Sequence, residues 1–181
     1  MTAGIPAFDP NAPRGRFYRV VQAFIRTSAG RSLAINFAAR TDPLLLKWSR
    51  GRLGVGMVMP TAGLTTTGAK SGAKRTAAVL YFTDADQNRP DGGPDVILIA
   101  SNFGREKHPS WYYNLRAHPD AQLERGGIKA TYRATLVADE AEYRRLFALA
   151  NKVYSGYDDY KVRTAAVGRS IPIFRLTPTG S

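Results

Sequence analysis

The stretch that decides the fold prediction is LTTTGAKSGAKRTAAVLYF, residues 64–82. Two β-prone runs, 64–67 and 76–82, flank a turn that contains Gly68 and Gly72, and this order predicts a β-hairpin. Glycines allow backbone amides to approach a ligand closely. Amides, cations and hydroxyls that converge in one turn favour a site for a phosphate-type anion. The cations and hydroxyls of this turn belong to Lys70, Ser71, Lys74, Arg75 and Thr76.

A solvated basic hairpin tip is the simpler interpretation of the same turn. A Walker loop is excluded, because that motif has four residues between its glycines and Lys-Ser/Thr directly after the second glycine. Here three residues separate Gly68 from Gly72, and Ala73 follows.

Composition restricts the classes of function. A chain of 181 residues is long enough for one domain with a core of its own. The absence of cysteine excludes disulfides, thiol nucleophiles and thiolate metal ligands. The net charge of +12 favours an anionic partner: nucleic acid, an acidic membrane surface or an anionic cofactor. Neither a membrane-spanning apolar run nor a secretory signal is recognisable, so a cytoplasmic location is expected.

Residues 1–53 are predicted to form a segment distinct from the domain over 54–181. Prolines in residues 1–13 predict a flexible tail, and basic amphipathic helices are predicted to follow. Between Arg14 and Arg52, nine basic residues accompany a single acid. Such helices can lie in a membrane interface. We favour packing of their apolar stripe on the protein's own core or on a second subunit, which leaves a monomer or a homodimer.

Residues 54–181 predict an α+β fold. The order of elements favours a mainly antiparallel sheet or small barrel over alternating βαβ units. After the hairpin, the patterns predict a polar loop over 84–94, a strand buried on both faces over 96–100, a helix from about 109 to 118, strands over 121–125 and 129–137, helices over 139–152 and 157–164, and a strand over 171–176.

Most familiar catalytic motifs are missing from the sequence. His108 and His118 are the only histidines, and neither has a second ligand at metal-binding spacing, so no metal site is predicted. There is no nucleophile elbow and no dinucleotide-binding fingerprint. Cations, hydroxyls and aromatic residues with few acids or bases are typical of a protein whose bound cofactor carries the reaction. Aromatic residues that could stack on a ring, with core packing as the alternative, are Trp111, Tyr112, Tyr113, Tyr154, Tyr157 and Tyr160.

Three ordered segments resemble the signature motifs of one family. GAKSGAKRTAAVLYF (68–82) is similar to a turn G-R-K-S/T-G-x-x-R followed by a strand. VILIASNFGREKHPSWYYNLRAHP (96–119) is similar to a strand ending in A-S-x-x-G, then H/N-P-x-W-Y-x-N-L-x-A-x-P. VYSGYDDYKVRTAAVGRSIPIFRLTP (153–178) is similar to Y-x-x-Y-x-x-Y ahead of R-x-I-P. The family is that of the deazaflavin-dependent nitroreductases and F420H2-dependent quinone reductases, which use coenzyme F420 on a split β-barrel.

The resemblance implies roles for individual residues. The phosphate and acidic tail of F420 would be held by the turn, through Lys70, Ser71, Gly72, Lys74 and Arg75. The deazaflavin ring would lie against Ala78, Val79, Leu80, Tyr81, Ala100, Ser101, Asn102, Trp111 and Asn114. The electron acceptor would be bound by Tyr154, Tyr157, Tyr160 and Phe103.

The implied reaction is hydride transfer from reduced deazaflavin to a quinone, nitro or activated enone compound. The hydroxyls of Tyr157, Tyr160 or Ser101 would donate a hydrogen bond to the acceptor or relay a proton.

The sequence also departs from the family pattern. Ala69 replaces an arginine of the turn, a loss for which Lys74 compensates. Ala78 stands where proline is common. Asn102 and Phe103 replace a Lys-Gly pair, and Phe103 is expected to narrow the acceptor pocket.

Three alternatives stay open on the sequence. An FMN-binding protein with a related barrel would use a similar phosphate site and ring site. A nucleic-acid binder would account for the net charge of +12. An accessory protein would act mainly through its basic N-terminal helices, in contact with the inner face of the membrane or with a second subunit.

Overall fold

The computed structural model describes residues 4–13, 59–89 and 93–179, and the isolated positions 15, 18, 20, 23, 24, 27 and 30. The predicted basic helices between 14 and 53 therefore lie outside the described residues, apart from helical backbone at the isolated positions 18, 20, 23, 24 and 30. Among the described residues, no helix has the length and hydropathy needed to cross a membrane.

Six strands form a closed barrel, and this confirms the predicted α+β fold with a split-barrel-like architecture. Their order around the barrel is β1-β2-β3-β6-β5-β4, with every neighbouring pair antiparallel. Because β1 pairs with both β2 and β4, the sheet closes on itself and leaves no free edge. The strands are β1 Thr61–Thr67, β2 Lys74–Arg89, β3 Gly93–Ile99, β4 Asp120–Arg125, β5 Ile128–Leu136 and β6 Ile173–Pro178.

Side-chain alternation divides the apolar residues between the two surfaces of the barrel. One cluster takes residues from all six strands and fills the interior, with Leu64 and Leu98 fully buried. A second cluster lies on the outer surface, where Ile97 and Ile99 contact the helices that follow β5. β3 is therefore buried on both faces, as its uninterrupted apolar run predicts.

Within residues 93–179, three α-helices accompany the barrel: α1 Ser110–Ala117, α2 Glu140–Val153 and α3 Gly156–Ala165. The predicted helix over 139–152 is confirmed as α2, and the Asp139 carboxylate caps it by accepting from the Glu142 backbone amide at 2.8 Å. The helix predicted over 157–164 is confirmed as α3. α1 places Trp111 and Leu115 in the interior cluster, so this helix packs against the barrel interior.

The predicted loop over 84–94 is wrong. β2 continues to Arg89, and β3 begins at Gly93 after a register shift between Asp84 and Arg89. Aspartate is unfavourable in strands, but here Asp84 is buried and accepts hydrogen bonds from Arg145 at 2.7 Å and from Arg175 at 2.7 Å. These arginines satisfy the buried carboxylate, so β2 can hold Asp84 opposite Asp95 of β3.

The flexible tail predicted for residues 1–13 is also wrong in its described part. The Ile5 amide donates to the Tyr132 hydroxyl at 2.9 Å, and the Tyr81 hydroxyl donates to the Pro6 carbonyl at 2.7 Å. Phe8 and Thr83 exchange two hydrogen bonds. Because buried tyrosine hydroxyls need partners, this segment is held along the barrel despite its prolines.

Candidate functional site

The turn between β1 and β2 is compact and bound to itself. Gly68 donates its amide to the Ala73 carbonyl at 2.8 Å, and Gly72 donates to the Gly68 carbonyl at 2.9 Å. Gly72 has a φ of +67°, a region that favours glycine. A Cβ on Gly68 would lie 2.6 Å from the Ser71 Oγ. The crowding at Gly68 and the positive φ at Gly72 both favour glycine in this turn.

The cations of this turn are available to a ligand. The side chains of Lys70, Ser71 and Arg75 are exposed. Among the residues that the structure describes, no carboxylate forms an ion pair with Lys70 or Arg75. Lys74 is exposed too, and its Nζ donates to the Thr67 hydroxyl at 2.9 Å. The turn thus presents three cations, the Ser71 hydroxyl and a tight backbone, which together suit a phosphate or another polyanion.

Asn114 fixes the turn between β1 and β2 through two side-chain hydrogen bonds. Its Oδ1 accepts from the Ala69 amide at 2.9 Å, and its Nδ2 donates to the Thr66 hydroxyl at 2.9 Å. Asn114 is 8% exposed, and its amide group is already engaged by these two partners. The resemblance implies contact with the ring, whereas the geometry makes Asn114 a support that fixes the turn to α1.

The four residues predicted on the ring-binding strand divide between the two surfaces of β2. Val79 and Tyr81 point into the interior cluster, so only their backbone is available outside the barrel. Burial raises the pKa of Tyr81 to about 12. Ala78 is exposed, and Leu80 is half-buried against the outer cluster. Of the four side chains, those of Ala78 and Leu80 thus lie on the outer surface.

Trp111 also lies in the interior, edge-on to Phe174 with their ring centroids 6.1 Å apart. Its side chain is 9% exposed. The indole therefore contributes chiefly to the packing of α1 on the barrel.

The residues after β3 form a strained turn, which we call the 101–104 turn. Ala100 is fully buried and donates its amide to the Pro172 carbonyl at 2.9 Å. Asn102 and Phe103 have positive φ values of 49° and 57°, and Gly104 follows at 72°. Non-glycine residues rarely adopt this conformation, and such strain concentrates at functional sites. The turn leaves Phe103 43% exposed and Ser101 partly exposed.

Arg169 reaches this turn from the loop before β6, a contact that sequence reasoning missed. Its guanidinium donates to the Ser101 carbonyl at 2.7 Å and to the Ala100 carbonyl at 3.3 Å. It also lies 3.0 Å from the His108 Nδ1. The signal in the sequence is the arginine of the R-x-I-P motif, to which the resemblance assigned no role.

The three tyrosines that were predicted to bind the acceptor lie close together, and all three are buried. Tyr154, Tyr157 and Tyr160 are 6%, 4% and 3% exposed, and the hydroxyls of Tyr154 and Tyr160 lie 3.1 Å apart. Burial raises the pKa of Tyr157 and of Tyr160 above the ordinary value of 10.0, so both hydroxyls stay protonated near neutral pH. A Cβ on Gly104 would lie 3.0 Å from the Tyr160 ring, which places Tyr160 directly behind the 101–104 turn.

Comparison with known proteins shows the family of this chain. Residues 38–178 match the family model described as F420H(2)-dependent quinone reductase. An F420H(2)-dependent quinone reductase of Mycobacterium tuberculosis is 30% identical over 142 residues, which cover 76% of this chain and 88% of that protein.

Two solved structures are similar as well. An F420-H2 dependent reductase is 32% identical with a TM-score of 0.51, over 65% of this chain and 93% of that one. A structure described as a domain-swapped dimer is 29% identical with a TM-score of 0.52, over 75% of this chain and 98% of that one. The chain therefore belongs to the F420H(2)-dependent quinone reductase family.

Proposed function

We propose that this protein binds reduced coenzyme F420 and passes its hydride to a quinone. Membership of the family supports the cofactor and the reaction class. The single observation that carries the proposal to this chain is the glycine-closed turn, whose cations Lys70 and Arg75 are exposed and form no ion pair with any described residue. Such a turn suits a cofactor with a phosphate and an acidic tail better than it suits a neutral ligand.

The residues present fit the cofactor at both ends of the proposed site. Lys70, Ser71, Gly72, Lys74 and Arg75 would hold the anionic end, where their donors face solvent. At the other end, the buried Nε of Arg169 has no hydrogen-bond partner among the described residues, which leaves a donor beside the segment of Ala100, Ser101 and Asn102. When bound, reduced F420 supplies the hydride, and the chain orients the reactants and excludes water.

The acceptor end is proposed to lie at the 101–104 turn. The partly exposed Ser101 hydroxyl would donate a hydrogen bond to an oxygen of the acceptor as negative charge develops there. Phe103 would cover one face of a flat ring, and this favours a quinone. Smaller nitro or enone compounds belong to the same proposal as weaker acceptors, because they would cover less of the Phe103 ring.

The tyrosines keep their proposed role as proton donors behind the turn. The hydroxyls of Tyr160 and Tyr154 share a hydrogen bond, and this contact would orient the Tyr160 hydroxyl. Since Gly104 lies against the Tyr160 ring, Tyr160 would act on the acceptor from the Gly104 side of the 101–104 turn.

The proposed function is tested by following the oxidation of F420H2 by menadione, a soluble quinone, in the presence of the purified protein. We expect saturable turnover with F420H2 and none with reduced FMN. The double variant Lys70→Ala and Arg75→Ala should lower kcat/KM for F420H2 at least about a hundredfold, the effect of about two lost charge-assisted contacts. No turnover by the wild-type protein would reject the proposal.

A matched control removes the same charge elsewhere. Lys129 pairs with Glu124, and Arg144 pairs with Glu140, both on exposed parts of the barrel and of α2. The double variant Lys129→Ala and Arg144→Ala should retain wild-type kinetics, because exposed ion pairs contribute little. An equal loss in both double variants would assign the effect to net charge alone.

Association and location complete the proposal. A similar structure is described as a domain-swapped dimer, which supports a homodimer for this chain, testable by sedimentation equilibrium. A cytoplasmic location is proposed, with peripheral membrane contact through the basic residues 14–53 as the alternative to their packing on the core or on a second subunit. Binding to anionic vesicles that is lost when residues 1–53 are deleted would support the membrane contact.

A further inference from the structure

We propose that Arg169 is a positioning residue that fixes the 101–104 turn and so sets how Phe103 meets the electron acceptor. The proposal rests on the proposed function, because it assigns a role within the same site. Arg169 itself touches backbone carbonyls and His108 rather than the reacting atoms, and it acts through the turn.

The contacts of Arg169 join three separate parts of the chain. One guanidinium nitrogen, Nη2, donates to the Ser101 carbonyl at 2.7 Å, and the other, Nη1, donates to the Ala100 carbonyl at 3.3 Å. The same Nη1 lies 3.0 Å from the His108 Nδ1. The loop before β6 is thereby tied to the end of β3 and to the segment ahead of α1. A lysine has a single nitrogen and lacks the planar fork that spans these partners.

His108 is a suitable acceptor for this contact. Because Arg169 can only donate, the Nδ1 of His108 must accept, so a neutral imidazole carries its proton on Nε2. Burial and then the neighbouring Arg169 charge lower the pKa of His108, which favours this neutral form. The ring also lies over Tyr112, with centroids 4.2 Å apart. The packing of His108 on Tyr112 therefore fixes the acceptor that holds the Arg169 guanidinium.

The intrinsic backbone preferences of its residues do not favour the conformation of the 101–104 turn. Asn102 and Phe103 both have positive φ values, and such conformations persist where the surrounding structure enforces them. Asn102 donates its side-chain amide to the Lys107 carbonyl at 2.7 Å, and Tyr160 lies against Gly104. The Gly104 and Arg105 amides donate within the turn, and Arg169 holds it at the point where it leaves β3.

The burial of the Arg169 guanidinium is unfavourable for stability. Among the described residues no carboxylate pairs with its guanidinium, although the side chain is only 8% exposed. Its Nε is buried and has no hydrogen-bond partner among the described residues. A buried charge without a counterion is costly, and buried unpaired groups concentrate where function requires them. The turn that Arg169 holds carries Phe103, whose exposed side chain can contact a ligand.

The experiment compares wild-type protein with Arg169→Lys, Arg169→Met and the exposed control Arg144→Met. Without cofactor, hydrogen exchange should accelerate at the amides of Gly104 and Arg105, which donate within the turn. With saturating F420H2, the KM for menadione should rise about tenfold, the effect of one lost charge-assisted hydrogen bond. The dissociation constant of F420 should change by less than about twofold, because the cationic turn is untouched.

A double-variant cycle links the effect to Phe103. If Arg169 acts through Phe103, the KM of Phe103→Ala combined with Arg169→Lys should equal that of Phe103→Ala alone. Additive changes, or an unaltered KM for menadione in Arg169→Lys, would overturn the proposal. Unfolding of both Arg169 variants where wild-type protein is folded would show a role in stability and would also overturn it.

The outcomes distinguish this inference from the function on which it rests. If wild-type protein fails to bind F420, the proposed function fails, and this inference fails with it. If wild-type protein oxidises F420H2 and the Arg169 variants keep its KM for menadione, only the inference fails.

Discussion

The side-chain oxygen of Asn114 accepts a hydrogen bond from the backbone amide of Ala69 at 2.9 Å. This contact joins α1 to the turn that carries the exposed cations. The site is thus built in two layers: an outer layer of donors that can meet a ligand, and a buried layer that fixes their backbone.

Replacing Asn114 with alanine should damage stability and binding together. The change leaves the Ala69 amide and the Thr66 hydroxyl without their partner, and we expect a loss of about 1–3 kcal/mol in the free energy of unfolding. F420 should also bind about tenfold more weakly, since a looser turn must be ordered on binding. Urea denaturation and fluorescence titration measure the two effects. Arg116→Ala, on the exposed side of the same helix, is the control, and equal behaviour of the two variants would contradict this account.

Replacing Tyr157 and Tyr160 together with phenylalanine should lower turnover more than F420 affinity. Both rings would stay in the outer cluster, while the Tyr154–Tyr160 hydroxyl contact would be lost. Steady-state kinetics with menadione and a titration with F420 separate the two quantities. Unchanged turnover in the double variant would reject the proton-donor role.

The His108 contact predicts a pH dependence of stability. Burial and the Arg169 charge lower the pKa of His108 below its ordinary 6.5, so the unfolded chain binds the proton more readily. Stability contributed by the neutral ring is present above about pH 6.5 and is lost as pH falls through the folded pKa. The groups that face the ring are Arg169, Tyr112 and Tyr113.

This pH dependence is measured by thermal unfolding between about pH 7.5 and about pH 5. His108→Gln keeps an acceptor for Arg169 but does not titrate, so its melting temperature should fall less across the interval than that of wild-type protein. Parallel curves for the two proteins would show that His108 does not contribute.

The ion pairs that Asp84 forms with Arg145 and Arg175 predict a second pH dependence of stability. Burial by itself would raise the pKa of Asp84, but hydrogen bonds from Arg145 and Arg175 outweigh it and hold the pKa below the ordinary 3.8. The stability from this carboxylate is therefore present above about pH 4 and lost as pH falls through the folded pKa.

Asp84→Asn should lower the free energy of unfolding by about 3 kcal/mol near neutral pH, because Arg175 and Arg145 lose a buried counterion. Chemical denaturation checks this value. The exposed pair of Arg133 and Asp120 offers the control, and Asp120→Asn should cost less than about 1 kcal/mol. Equal losses would show that burial of Asp84 does not matter.

Local sequence patterns predicted much of the fold. The glycine-bearing hairpin, the apolar run of β3 and the amphipathic α2 each show their periodicity within a few residues, and all three are present. The strand through Asp84 could not be predicted in this way, because its partner Arg145 is 61 residues away. The packing of Ile5 depends on Tyr132, 127 residues along the chain.

In the candidate site, too, local features could be predicted and features that depend on distant residues could not. The turn cations are exposed as the hairpin pattern predicts. The resemblance alone gave no means of distinguishing a residue that touches a ligand from one that supports the site. Asn114 and Trp111 support the site from within, and the role of Arg169 depends on carbonyls brought together only by the folded chain.

The most direct test of the central claim is a fluorescence titration of the purified protein with oxidised F420, with FMN titrated in parallel. We expect saturable binding of F420, preference over FMN, and at least about tenfold weaker binding by Lys70→Ala and by Arg75→Ala. Preferential binding of FMN, or binding of F420 that neither variant weakens, would contradict that claim.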